Sequence, residues 1–411
     1  MDNLRYLENL GWSTWSTPYS RDKPFTSFHS LRIINDRITS FSALARPTVA
    51  VVGEQGCGKT SVLESLIGTG FLPKKFKTAD GDAKGGEVKK MMQTRCPVVI
   101  NLVKVSSVAE CRHTCWVEFD HHNPTRQILD FDEVEAEIEQ RMELLSSQSA
   151  NGVSEVEIVL TFYSSEVLSM TLIDLPGLTL EQSTGEWEKG EAHNLILKYV
   201  REPDVVILAV ASAPSYVAAP SRILDFVRKV DPFEKRSFVV VSHWDKLPTL
   251  FQGRKMILGK CERLDLGLVG IQNRTEEQLF RGTSVQDSQV EAQHFLLHNY
   301  EGLITVLTGV GVGSRYLVER VCEVIIFLWG SQFEEHESVK RTVLREIKAK
   351  IKKMKVLIVK LSKKKFLDTS QLKRKIRELE YVATIFDKGW KDFGIEGSAT
   401  KHKQLSEQFL T

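Results

Sequence analysis

Between about residue 49 and residue 307, short apolar runs alternate with stretches in which apolar residues recur every three or four positions. The runs Val49–Val52, Val98–Val103, Val156–Phe162, Met170–Ile173, Val205–Val210, Phe238–Val241 and Leu268–Ile271 have the length of buried strands, and helical patterns separate many of them. That alternation predicts an α/β fold: a doubly wound, mostly parallel sheet with helices on both faces. Upstream, Leu31, Ile34, Ile38, Phe41 and Ala45 form one stripe of an amphipathic helix, which Pro47 ends. Residues 1–26 are polar and aromatic, with turn signals at Pro18, Asp22 and Pro24, and read as an irregular arm.

Beyond Gly313 the pattern changes. Strand-like alternation stops, and Leu344, Ile347, Ile351, Met354, Ile358 and Leu361 step alternately by three and four, the seam of a heptad repeat. Lysines and arginines crowd this stretch, 340–365. They read as a lipid- or polyanion-binding face or as the solvated side of a bundle helix, and the second is favoured because such faces are commonly charged. A further helix is expected near 371–386, after the break at Asp368-Thr369-Ser370.

A chain of 411 residues suffices for one large domain and a smaller one. Its net charge of +2 creates no global field for nucleic acid. Six cysteines in so long a chain are not a disulfide framework, and Cys57 within a loop suited to phosphate implies a reducing compartment. Cys111, His113 and Cys115 lack the second pair that would complete a zinc site. The N-terminus has no signal-peptide core, and the apolar run Val324–Trp329 is too short to span a bilayer. A soluble, cytoplasmic protein is expected.

The chemistry concentrates at strand ends. Gly53-Glu54-Gln55-Gly56-Cys57-Gly58-Lys59-Thr60-Ser61 follows an apolar strand and opens an amphipathic helix, the context a phosphate-binding loop requires. Its glycines let backbone N–H groups cradle a polyphosphate at a helix N-terminus; Lys59 would reach the outer phosphates and Thr60 a magnesium ion. Thr171 to Gly177 is a strand running into D-x-x-G. Asp174 there would hold magnesium through water, and the Gly177 amide would sense the terminal phosphate ahead of a switch segment. In Phe238 to Asp245, Asp245 would accept hydrogen bonds from guanine N1 and N2, groups adenine does not offer. Ser242 and His243 occupy the positions of an asparagine or threonine and a lysine, so the guanine site reads as weakened. A fourth strand end, Val269 to Arg274, would cap base and ribose. Together these identify a GTP–Mg²⁺ site; an ATP-using protein is the rival that Asp245 argues against.

In order and flanks these motifs resemble the dynamin superfamily of large GTPases, including its myxovirus-resistance branch. The resemblance rests on Gly58-Lys59-Thr60-Ser61-Val62-Leu63-Glu64, Thr94-Arg95-Cys96-Pro97, Leu172 to Gly177, Val230-Asp231-Pro232 and Ile271-Gln272-Asn273-Arg274. It covers about 27–325, with a looser continuation to about 390. It implies that Gln55 positions the attacking water, that Thr94 holds water and magnesium, and that Asn273 and Arg274 belong to the ribose loop. It also implies a first bundle-signalling helix at 27–46, a GTPase domain at 47–310, a second such helix at 311–338 and partial stalk helices at 339–411. Hydrolysis stimulated by self-association of GTPase domains, coupling to the bundle, and peripheral contact with anionic membrane or with cytoskeleton such as microtubules follow from the same resemblance.

Departures from the family pattern weigh on rate. Gly56 replaces a serine that helps bind a charge-compensating cation, which argues for slow hydrolysis. Residues 74–90 lengthen the first switch, at an entropic cost when it orders. The loop 211–221 is mostly small and apolar where relatives offer polar residues across a dimer, and Asn299 stands where relatives have a hinge proline. Relatives continue beyond the position of Thr411, so the chain reads as C-terminally short, with a groove between its bundle helices left unfilled. Two functions therefore stand side by side: a slow GTPase, and a GTP-binding switch with negligible turnover.

Overall fold

The structure, a computed structural model, describes residues 46–73, 94–105, 115–149, 151–181, 187–247, 249–257, 262–300 and 310–314, with individual residues between 316 and 380. Among the described residues nine strands form one sheet: β1 Thr48–Gly53, β2 Val98–Lys104, β3 Cys115–Phe119, β4 Ile158–Ser164, β5 Met170–Asp174, β6 Val205–Ser212, β7 Ser237–Ser242, β8 Leu268–Gly270 and β9 Val310–Val312. The helices are α1 Lys59–Ile67, α2 Phe131–Ser147, α3 Glu191–Val200, α4 Ala213–Ala218, α5 Ser221–Val230, α6 Leu250–Ile257, α7 Glu276–Phe280 and α8 Val285–Tyr300. The sheet order is β3-β4-β2-β5-β1-β6-β7-β8-β9. From β5 to β9 every neighbouring pair is parallel, while β2 runs antiparallel to β5 and β3 antiparallel to β4.

The central strands are unbroken apolar runs because both faces are covered. Along β1, Val49 and Val51 enter one core cluster and Ala50 and Val52 the other, all with no exposed surface. The same period of two divides Phe238 and Val240 from Val239 and Val241 on β7. Helical spacing supplies the lids. Val134, Ile138, Met142 and Leu145 of α2 join the first cluster, and Ile223, Leu224, Phe226 and Val227 of α5 join the second. A truncation such as Leu208→Ala in β6 removes packing from a fully buried position, at a cost of about 2–5 kcal/mol.

The Val230-Asp231-Pro232 landmark has a structural role. The Asp231 carboxylate accepts from the Arg236 backbone N–H at 3.0 Å and the Ser237 hydroxyl at 2.6 Å. The Arg236 guanidinium then donates to the carbonyls of Val205, Val200 and Val230 at 2.8, 2.9 and 3.0 Å. Asp231 and Arg236 thus order the turn that delivers β7 to its place beside β6, each buried charge offset by the other and by backbone partners.

Several sequence expectations are corrected. The stretch 211–221 is not a loop: β6 runs to Ser212, whose hydroxyl caps α4 by accepting from the Ser215 N–H at 3.3 Å. The strand expected from Val156 begins at Ile158, since Val156 is exposed and the chain before it turns on the Ser154 hydroxyl. The strands β3 and β9 were not expected. At the hinge position, Asn299 continues α8, donating from its amide to the Phe295 carbonyl at 2.8 Å. The expected arm 1–26, the first bundle helix and the switch insertion 74–90 lie outside the described residues, apart from Arg46. After β9 the chain turns helical from Ser314, and Leu317, Val321, Cys322, Val324 and Ile325 are buried in the first core cluster.

Candidate nucleotide site

Because β1, β5, β7 and β8 are parallel, their carboxyl ends share one edge of the sheet, and the loops that leave them meet there. The one element that enters from the other direction is Thr94, which precedes β2. Since β2 is antiparallel to β5, in a register that sets Val98 opposite Asp174, it is the start of β2 that lies at this edge.

The loop 53–61 turns on two left-handed glycines, Gly56 at φ 75° and Gly58 at φ 89°, the latter at the N-cap of α1. It is stitched to the segment after β5: the Leu178 N–H donates to the Gly53 carbonyl at 2.9 Å, the Gln55 N–H to the Leu178 carbonyl at 3.2 Å, and Glu54 bridges Leu178. Gly177 has no room for a side chain, since a Cβ there would lie 2.7 Å from Gln55 Cα. Lys59 is buried, its Nζ donating to the carbonyls of Gly53 and Glu54 at 3.3 and 3.0 Å. Its charge is held inside the loop that a polyphosphate would fill. Cys57 is buried beside it, and burial raises its thiol pKa, so the thiol stays protonated.

Three motifs meet at one carboxylate. The Thr60 hydroxyl donates to Asp174 Oδ2 at 2.7 Å and the Thr94 hydroxyl to the same oxygen at 3.3 Å, with Asp174 only 3% exposed. Two hydroxyls and a carboxylate form an all-oxygen set of the kind that suits magnesium rather than a softer metal. The residues present fit that ion.

At the base side, Ser242 is fully buried and its hydroxyl donates to the Cys57 carbonyl, tying the end of β7 to the phosphate loop. His243 Nδ1 lies 2.9 Å from Ser242 Oγ. His243 takes a left-handed φ of 50°, and burial, followed by the Lys246 charge, lowers its pKa. Ser242 thus braces the loop, and His243 is the residue at the loop mouth: its Cε1 would meet a Gly58 Cβ at 3.3 Å. Asp245 is half-buried in the 3₁₀ turn Trp244–Lys246. Trp244 anchors that turn, stacked edge-on with Tyr300 at 6.1 Å and pressed on Gly270, where a Cβ would lie 2.4 Å from the ring.

The loop after β8 divides in role. Asn273 is buried, accepts from the Ser65 hydroxyl at 3.2 Å, and holds its Nδ2 without a hydrogen-bond partner among the described residues, 3.4 Å from the Gly58 Cβ position. A buried amide donor without a partner is costly, and one beside the loop fits a ligand oxygen. Arg274, expected at the ribose, is engaged elsewhere. Its guanidinium donates to Glu64 Oε2 at 2.8 Å and to the Thr283 carbonyl at 3.3 Å, while Glu64 Oε1 accepts from the Leu72 N–H. It therefore ties α1 to the loop after β8. Ser61 lies on the same helix and, with Ser65, Glu64, Gln272, Asn273 and Arg274, lines a small polar cavity of about 10 Å³. Ser65 was missed in the sequence reading, although it stands four residues after Ser61 and so on the same helical face.

Residues 49–244 match a family model described as the dynamin family. The chain is 35% identical over 303 residues to Dynamin-related protein 3B of Arabidopsis thaliana, a match covering 72% of this chain and 36% of that protein. It is 34% identical over 269 residues to Dynamin-1-like protein of Danio rerio, covering 62% and 36%. It is 28% identical over 327 residues to Dynamin-related protein DNM1 of Saccharomyces cerevisiae, covering 70% and 40%. The chain spans about a third of the length of the curated relatives it matches. With its phosphate loop, Thr94, Asp174 and Gly177 inside the matched region, the chain belongs to the dynamin family of large GTPases.

Proposed function

We propose that the chain binds GTP with magnesium and hydrolyses it to GDP and phosphate. The observation that carries this reading is the meeting of Thr60 and Thr94 at Asp174, beside a buried Lys59 and a loop of inward-turning backbone. Thr60 and Thr94 would hold the ion directly and Asp174 through water; magnesium neutralises charge developing on the phosphates. Lys59 exchanges the Gly53 and Glu54 carbonyls for outer phosphate oxygens. Gln55 orients the attacking water, and the Gly177 amide reads the terminal phosphate, its closeness to Gln55 linking the two. Asp245 selects guanine, with the His243 ring over the base face and Asn273 donating from its free Nδ2.

A second reading, a GTP-binding switch with negligible turnover, is favoured by Gly56, which offers no side chain to a charge-compensating cation. Phosphate release in a single turnover separates the two. Release within minutes supports the enzyme, and GTP that survives for hours on the protein supports the switch.

The same proposal includes self-association through GTPase domains, coupling to bundle helices at 27–46 and 311–338, and contact of the basic stretch 340–365 with anionic membrane or cytoskeleton. Arg345, Lys348, Lys352 and Lys355 are exposed and spaced on one helical face. Lys355 also pairs with Glu380 at 2.6 Å, as a solvated bundle face would. Among the described residues no helix is long and apolar enough to cross a membrane. Flotation with anionic liposomes at low salt tests the contact, and absence of binding there ends it.

A further inference from the structure

Away from the nucleotide site, the turn after β3 and the body of α2 bring two imidazoles to one carboxylate. His121 and His122 are consecutive, so in an extended strand they would face opposite ways. The turn that follows Phe119 instead sets both beside Glu137: His121 Nε2 lies 2.8 Å and His122 Nε2 3.6 Å from Glu137 Oε1. Ligand atoms from all three side chains lie within 4.8 Å of one another. Phe119, itself 1% exposed, packs under both rings at 5.2 and 5.5 Å, and the imidazoles meet edge-on at 4.7 Å. The three side chains are 20–29% exposed, an apolar floor below and water within reach above. His122 Nδ1 is buried without a hydrogen-bond partner among the described residues.

We propose that His121, His122 and Glu137 form a binding site for a divalent transition ion of the zinc class. Two imidazole nitrogens and a carboxylate oxygen select Zn²⁺, Co²⁺ or Ni²⁺ over Mg²⁺, which separates this site from the all-oxygen set at Asp174. Three atoms no further apart than 4.8 Å need side-chain movements of only about 1 Å or less to take up metal bonds of roughly 2.0–2.2 Å. A fourth position is left to water. The ion would clamp the turn after β3 to α2, whose first residue, Phe131, packs against Phe71 and Phe162 in the core.

The test is calorimetric titration of the whole chain with Zn²⁺ in excess Mg²⁺. One equivalent is expected to bind, and replacing Zn²⁺ by Co²⁺ is expected to give visible absorption from nitrogen and oxygen ligands. Binding is expected to weaken at least about tenfold in His121→Ala/His122→Ala and by about tenfold in Glu137→Gln, which preserves side-chain shape should the double variant not fold. Cys111, His113 and Cys115 form a separate cluster of potential metal ligands in the sequence, so Cys111→Ser/Cys115→Ser is expected to bind unchanged. No saturable binding, binding that survives loss of both histidines or of the Glu137 carboxylate, or binding lost only in the cysteine variant overturns the proposal.

Discussion

Thr60 and Asp174 are 114 residues apart in the chain, and the Thr60 hydroxyl donates to Asp174 Oδ2 at 2.7 Å. The contact exists because β1 and β5 are parallel neighbours, so the helix that follows β1 begins beside the end of β5. Thr60→Ala removes a hydroxyl from the proposed magnesium set and a hydrogen bond to a charged group, worth about 1.5–3 kcal/mol. Magnesium-dependent GTP affinity is expected to fall by about 10- to 100-fold, and Thr60→Ser is expected to retain most of it. Nucleotide titration with and without magnesium checks both.

Two glycines at this edge differ in what an added methyl would meet. At Gly53 a Cβ would lie 2.0 Å from the Val210 carbonyl oxygen, within the paired strands β1 and β6. At Gly177 it would meet Gln55, on the loop itself. Gly53→Ala is expected to destabilise the whole domain, seen as a lower denaturation midpoint. Gly177→Ala is expected to keep the fold and lose turnover.

The pair Glu64–Arg274 is a stability element. Glu64 is nearly inaccessible and the Arg274 side chain 16% exposed, so removing the arginine takes a charged partner from a buried carboxylate. Arg274→Ala is expected to cost about 3–5 kcal/mol, while replacing both residues with Glu64→Leu and Arg274→Met recovers much of the loss. Urea denaturation of the two variants tests this; an Arg274→Ala protein with unchanged stability and weakened GTP binding would return the residue to the ribose.

In the proposed site, base choice would rest on Asp245. A carboxylate accepts from guanine N1 and N2, whereas an amide in its place offers an N–H₂ group to the oxygen at position 2 of xanthine. Asp245→Asn is expected to weaken GTP binding on the order of 100-fold and to improve XTP binding, as measured by competition.

Acid is expected to destabilise the domain through two histidines. Burial, then the charge of Lys246, holds His243 below its ordinary value of 6.5, and burial with Lys229 holds His193 below it as well. The folded protein therefore takes up these protons less readily than the unfolded chain. The stability they contribute is complete above 6.5 and is lost as pH falls below it. In the absence of nucleotide, His193→Asn and His243→Asn are each expected to flatten the decline in stability below that pH.

The parts of this fold that were legible in the sequence are those written in local pattern. The strands β1, β6 and β7 carry continuous buried apolar runs, and the phosphate loop announces itself by its glycines. β3 was missed because it is an edge strand of only five residues, too short for its apolar alternation to stand out. β9, three residues with a glycine at its centre, is a strand only because β8 offers it a partner. The pairing of Arg274 with Glu64, 210 residues away, was not legible because nothing local reveals it. The reversal of β2, which carries Thr94 to Asp174, likewise leaves no trace in periodicity.

Steady-state GTP hydrolysis as a function of protein concentration, with Lys59→Ala alongside, bears most directly on the assembly of Thr60, Thr94 and Asp174 as a GTPase centre stimulated by self-association. The proposed function predicts phosphate release whose specific rate rises with protein concentration and which disappears in Lys59→Ala. Hydrolysis undiminished in Lys59→Ala, or none in the unaltered chain at any concentration, would contradict it.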